Sequence, residues 1–186
     1  MPPFNSYTIG LDLVSFKEYC KNHGKRLKFS RGDMFEIAGA QANTMGFVAN
    51  GCFKYMVRNE TDGKDYITGF AFDDEFVGDF PNCIEYQPAA VSIIAMTAAD
   101  VYVIDGKELI NTIDEQNMGP IYKQLFNQIY TQYLDSYRMT VKERYLQLLH
   151  RCPQIVQQIN LKDIASFLNV TPKTISKIRK EITFEK

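Results

Sequence analysis

Residues 161–180 constrain this chain more than any other stretch: Leu-Lys-Asp-Ile-Ala-Ser-Phe-Leu-Asn-Val-Thr-Pro-Lys-Thr-Ile-Ser-Lys-Ile-Arg-Lys. Asn160 is a good N-cap for a first helix, and Asp163 falls at N3, near the positive end of the helix dipole. Ile164 and Leu168 make an inner stripe, and Ala165 is small where a second helix must approach closely. Asn169 follows at the turn, where a left-handed backbone is needed and Asn tolerates it better than most residues. Thr171 then reads as an N-cap and Pro172 as the first helical residue, a strong helix-start signal. Ile175 and Ile178 point back at the first helix, so the pair folds as a helix-turn-helix. The outward face of the second helix carries Lys173, Thr174, Lys177 and Lys180. Lys162 opens the first. In that geometry these side chains can reach phosphates and base edges of double-stranded DNA.

Charge follows the same division. Residues 1–140 hold 12 Lys and Arg against 18 Asp and Glu, while residues 141–186 hold 9 against 4. An acidic body with a basic tail is the asymmetry expected when only one part of a chain meets a polyanion. The formal net charge of −1 conceals it.

Upstream, the period of the sequence changes. Leu11–His23 reads as a short helix stopped by Gly24. Between about Arg26 and Asp105, short segments rich in aromatic and β-branched residues predict strands at 46–49, 52–57, 65–72, 91–96 and 100–104. Arg31-Gly32-Asp33, Asn50-Gly51 and Thr61-Asp62-Gly63 supply the turn chemistry between them. Short strands at such spacing predict a small antiparallel roll, sandwich or barrel. Residues 107–115 form a short predicted helix, and 120–139 a long one with Pro120 in its first turn. Ile121, Tyr122, Leu125, Phe126, Ile129, Tyr130, Tyr133, Leu134 and Tyr137 give the long helix an apolar face too wide for one contact, so a partner helix is expected, centred on Leu125 and Ile129. Residues 141–150 add an amphipathic helix ending before Pro153. The domain boundary is placed before that helix, near Met139, giving 1–139 and 140–186.

Little else in the sequence suggests chemistry. Cys20, Cys52, Cys83 and Cys152 lack C-x-x-C pairing, and neither His23 nor His150 has a second ligand at helical metal spacing. No Ser/His/Asp grouping, Gly-rich phosphate loop or His-Glu metal motif occurs, so no catalytic residue, metal or cofactor is expected. The start of the chain is not a secretory signal and no run suits a membrane span, which predicts a cytoplasmic protein without a membrane partner.

A β-rich domain, a long connecting helix and a C-terminal helix-turn-helix together resemble the Crp/Fnr family of transcription regulators. The resemblance implies an α+β fold: a double-stranded β-roll sensor, a long dimerisation helix and a winged-helix-like DNA-binding unit. It implies a homodimer that reads a palindromic site with a recognition helix at about 171–181, and RNA polymerase and a small-molecule effector as further partners. The family's base-contacting positions fall on Pro172, Lys173 and Lys177, where the usual Arg and Glu of the first two are absent. Family members that bind cyclic nucleotides carry Gly-Glu-Leu, with Arg-Ser about ten residues later for the phosphate. Here those positions, the candidate effector pocket, are Gly78-Asp79-Phe80 and Ala89-Ala90. Two alanines offer no side-chain donor to an anion, so control by cyclic AMP is not expected. Between His150 and Asn160 the chain is too short for a two-stranded wing, which implies either a lower affinity or a larger share of the backbone anchoring for Lys162, Arg144 and Arg151. The competing reading is a protein-interaction module built on a degenerate cyclic-nucleotide-binding domain, without DNA binding.

Overall fold

The computed structural model describes residues 4–5, 13–80, 82–112, 115–153 and 155–184. Helix α1 (Val14–His23) leads into eight strands: β1 (Lys25–Phe29), β2 (Met34–Glu36), β3 (Thr44–Asn50), β4 (Phe53–Arg58), β5 (Asp65–Ala71), β6 (Phe76–Val77), β7 (Ser92–Ala95) and β8 (Ala99–Asp105). The one-turn helix α2 (Asn82–Glu85) lies between β6 and β7. The strands form two antiparallel sheets of four, ordered β1-β8-β3-β6 and β2-β7-β4-β5. Val48, Phe53, Val77, Ile93 and Val101 fill the space between them. The chain is thus α+β, with a β-roll followed by helices.

The five predicted strands are present as β3, β4, β5, β7 and β8, with ends shifted by a few residues. The other three were hidden for separate reasons. Lys25-Arg26-Leu27-Lys28-Phe29 is an edge strand whose charged residues stay exposed, so it lacks an apolar run. β2 is irregular, its register against β7 shifting between Met34 and Glu36, and β6 is two residues long. At the predicted Asn50-Gly51 turn, Gly51 has φ +104°, and a β-carbon there would lie 2.5 Å from that of Ala99. Only glycine permits that approach.

Helix α3 (Gly106–Asn111) is capped by Asp105, whose side chain accepts from the Glu108 amide. It ends short of the predicted Glu115, which instead opens α4 (Glu115–Arg138). Pro120 therefore sits inside α4 rather than in its first turn, at the cost of one backbone hydrogen bond. Residues 11 and 12 of the first predicted helix lie outside the described residues.

The C-terminal helices are α5 (Val141–Arg151), α6 (Ile155–Gln158), α7 (Leu161–Phe167) and α8 (Pro172–Phe184). Thr140 starts α5 with a capping box closed by Glu143. Among the described residues no strand follows β8, so α6 stands where a wing would precede the helix-turn-helix. Tyr145, Leu148, Ile155, Ile164, Ala165, Leu168 and Ile175 share a buried cluster with Phe4, Ile67, Phe70 and Phe72 of the roll side. The Ile67 amide donates to Ser166 Oγ at 3.0 Å, and Lys54 Nζ lies 3.4 Å from an Asp163 carboxylate oxygen. One apolar core therefore joins β5 to the helix-turn-helix.

Candidate nucleic-acid interface and sensor cavity

The helix-turn-helix is built from local signals. The Asn160 side chain accepts from the Asp163 amide at 2.9 Å, and Thr171 Oγ1 accepts from the Thr174 amide at 3.2 Å, so each helix has its N-cap. Asn169 takes φ +55° at the turn. Ile164, Ala165 and Ile175 are completely buried, which locks the angle between α7 and α8. The opposite face of α8 is then presented to solvent: Pro172, Lys173, Lys177 and Lys180 are exposed. Thr174 is half-buried, its hydroxyl 2.9 Å from that of Thr171, so its oxygen already has a partner. Lys177 makes a loose 3.9 Å contact with Glu181, and Lys162 stands exposed on the first turn of α7. Arg179 turns inward and donates through Nε to the Tyr145 hydroxyl at 2.8 Å, tying α8 to α5. Its position beside Ile178 and four after Ile175 is the signal that could have revealed it.

Arg144 and Arg151 do not join this face. Both are half-buried and line a cavity between α4, β5, α5 and the turn after α7. The expectation that they anchor DNA phosphates is corrected: α5 directs them toward α4, because Tyr145 and Leu148 occupy its side against the helix-turn-helix core.

At the sensor positions, Gly78, Asp79, Ala89 and Ala90 do come together. The Ala90 amide donates to Asp79 Oδ2 at 2.5 Å, and Asn82 Nδ2 donates to the same oxygen at 3.1 Å. The Ala89 amide is spent on the Ala40 carbonyl at 2.7 Å, and the Gly78 amide on the Tyr55 hydroxyl at 3.3 Å. Glu36 is buried close by. Burial raises its pKa, a neighbouring backbone amide opposes this, and the Asp79 charge adds to the rise. The place where a phosphate would sit thus holds two buried acids, and the amides of Gly78, Ala89 and Ala90 are already bonded.

Phe80 points elsewhere. Its ring meets Tyr122 at 5.5 Å on the wall of a cavity of about 250 Å³ between the roll and α4. Tyr55, Thr68, Phe76, Leu125 and Gln128 also face that space, and none of its described lining residues is charged. Leu125 is therefore not at the centre of an outward stripe, as the sequence had suggested. The outward residues are Tyr122, Phe126, Ile129, Tyr130, Tyr133 and Tyr137, between 44% and 75% exposed.

Among the described residues no three His, Cys, Asp or Glu side chains converge as a metal site would need, and no helix is long and apolar enough to cross a membrane. All four cysteines are free and buried. Burial pushes the Cys20 thiol up to about 12, and burial with the Asp79 charge pushes Cys83 equally far.

Residues 26–116 match the cyclic nucleotide-binding domain family. No curated protein sequence is a significant match. Among solved structures the chain is similar to FixK2 from Bradyrhizobium japonicum, at 15% identity over 87% of this chain and 85% of that one, with a TM-score of 0.71. It is also similar to CLP, a c-di-GMP-responsive global regulator of Xanthomonas campestris, at 17% identity over 92% of both chains and a TM-score of 0.63. A third is a CRP-family transcriptional regulator from Thermus thermophilus, at 17% identity over 86% and 85% of the two chains and a TM-score of 0.61. The chain has the Crp/Fnr regulator fold.

Against that Crp/Fnr frame the departures are local. The roll and the long helix are intact, while the phosphate positions are filled by Asp79 and the wing is replaced by α6. The apolar cavity was missed from the sequence because its walls come from α1, β3, β4, β5, β6, α3 and α4, with no local motif.

Proposed function

We propose that this chain is a homodimeric, DNA-binding transcription regulator that reads a palindromic site with residues 171–181 and is not switched by cyclic AMP. Residues 1–139 form its sensor and dimerisation part, and residues 140–186 its DNA-binding part. One observation carries the reading: α8 is fastened by Ile175, Ile178 and Arg179 while Lys173, Lys177 and Lys180 face solvent together. A helix held that rigidly, with cations along one edge, is suited to the major groove, where Lys can pair with guanine acceptors.

The occupant of the α4 stripe is a second copy of the same chain. Tyr122, Phe126, Ile129, Tyr133 and Tyr137 recur at spacings of 4, 3, 4 and 4, close to a coiled-coil seam. A two-fold axis beside α4 buries both copies of the stripe against each other and sets two recognition helices for adjacent half-sites. The Asp79 arrangement supports independence from cyclic nucleotides, and the uncharged cavity beside it suits a neutral effector.

Selection of genomic fragments by the purified protein, followed by sequencing, tests the reading. An enriched inverted repeat is the expected outcome. Failure to retain any duplex at low salt would favour the protein-interaction reading instead.

A further inference from the structure

Arg144 and Arg151 lie seven residues apart on α5, about 10 Å along one face, with Gln147 between them. Both line the same cavity of about 380 Å³, together with Gln132 and Asp135 of α4 and Asn169 of the turn into α8. Neither forms an ion pair among the described residues, and the Nε of each is buried without a hydrogen-bond partner. Burial lowers the Arg151 pKa, only partly opposed by the charges of Cys152 and Glu75, and its guanidinium packs 4.5 Å from the centre of the Phe4 ring. The carboxylate in the cavity, Asp135, is already committed: Arg138 Nε donates to it at 2.7 Å and Gln147 Nε2 at 3.3 Å. Desolvated guanidinium donors left unmatched are costly, and a bound anion is what would satisfy them.

The cavity continues into a second recess of about 320 Å³ that shares Gln132, Asp135, Gln147 and Arg151. Its further wall is an amide and hydroxyl row on α4: Gln124, Asn127, Gln128 and Thr131. Amides donate and accept, so such a row matches hydroxyl groups rather than apolar surface.

We infer that this α4–α5 cleft is a binding site for a small phosphorylated polyol, with Arg144 and Arg151 holding the phosphate and the α4 amide row meeting the hydroxyls. It adjoins the apolar cavity under the roll, with which it shares Thr68, Gln128, Ile129 and Gln132, but differs from it in carrying two arginines, and it lies away from the solvent face of α8. An occupant ties α4 to α5 across the Met139–Thr140 connection and touches the turn that aims the recognition helix, which makes it a candidate regulator of helix placement.

Calorimetry on the full chain tests this, with ribose 5-phosphate, inorganic phosphate and ribose as probes. Ribose 5-phosphate is expected to saturate below about 1 mM, inorganic phosphate more weakly, and ribose not at all. R144Q and R151Q, checked for intact folding by circular dichroism, are each expected to weaken binding about tenfold or more. K173A/K177A is expected to leave it unchanged, so this site and the DNA-binding reading stand or fall separately. No saturation by either phosphate, or undiminished affinity in the R144Q/R151Q double variant, would overturn the inference.

Discussion

The buried Asp79 carboxylate accepts a hydrogen bond from the Ala90 backbone amide, so the β-roll carries its own acid at the positions that match the family's phosphate cassette. With Glu36 also buried beside it, a second negative charge there would meet repulsion, and the Gly78, Ala89 and Ala90 amides are already bonded. Calorimetry with cyclic AMP and cyclic GMP is expected to show no saturable binding up to about 1 mM. Micromolar affinity for either would show another phosphate site.

In the proposed DNA complex two lysines separate recognition from anchoring. Lys177→Ala is expected to cost about 1–3 kcal/mol on the specific site and to relax discrimination at one or two base positions. Lys162→Ala is expected to weaken all sequences nearly equally and to reduce the salt slope by about one unit. Binding series over several salt concentrations on matched and scrambled duplexes read both. Unchanged affinity and specificity in a Lys173→Ala, Lys177→Ala double variant sinks the recognition-helix assignment.

The proposed homodimer rests on the α4 stripe. Phe126→Glu together with Tyr133→Glu is expected to yield folded monomers in sedimentation, because both residues are more than half exposed in the single chain and contribute little to its own core. Leu125→Glu is a different test, since it places a charge against the roll cavity and is expected to lower the melting temperature. A wild-type protein that is monomeric at micromolar concentration refutes the dimer.

The helix-turn-helix depends on one buried side chain more than on its caps. Ile175→Ala is expected to destabilise the protein by about 2–5 kcal/mol, as a large-to-small change at a fully buried site does. Asn169→Gly is expected to be neutral or slightly stabilising, because the backbone there is left-handed. Chemical denaturation of the two variants checks both signs, and a stable Ile175→Ala protein would show that α8 is not locked as described.

Burial holds Cys20 and Cys83 protonated, with pKa values pushed up to about 12 from an ordinary 9.0. Because the folded state keeps its protons more tightly, stability is expected to fall as pH rises from about 9 toward 12. Urea midpoints at pH 7 and pH 10 are expected to drop less in a Cys20→Ala, Cys83→Ala variant than in the wild type. Labelling of either thiol in the native state at pH 8 would contradict the burial.

The helix-turn-helix was legible almost residue by residue because its determinants are local. An N-cap bonds three residues on, a left-handed Asn stops a helix, and an inner stripe repeats every three or four positions. Asn160, Asn169, Thr171 and Ile175 all perform in the structure the parts their spacing assigned. For the same reason the five strands with apolar runs could be read, whereas β1, with its exposed charges, and the two-residue β6 could not.

What the sequence determined by itself was therefore the kind of the elements with a strong local pattern and the existence of a basic outward face on α8, since both follow from contacts within a few residues. Tertiary structure alone decided where the long-range partners meet. It set Asp79 against Ala90, turned Leu125 toward the roll and Phe126 away from it, and drew Arg144 and Arg151 into the cleft beside α4. Periodicity assigns a residue to a face of its own helix. Which neighbour that face meets depends on how the sheets and helices pack, and packing joins residues far apart in the chain.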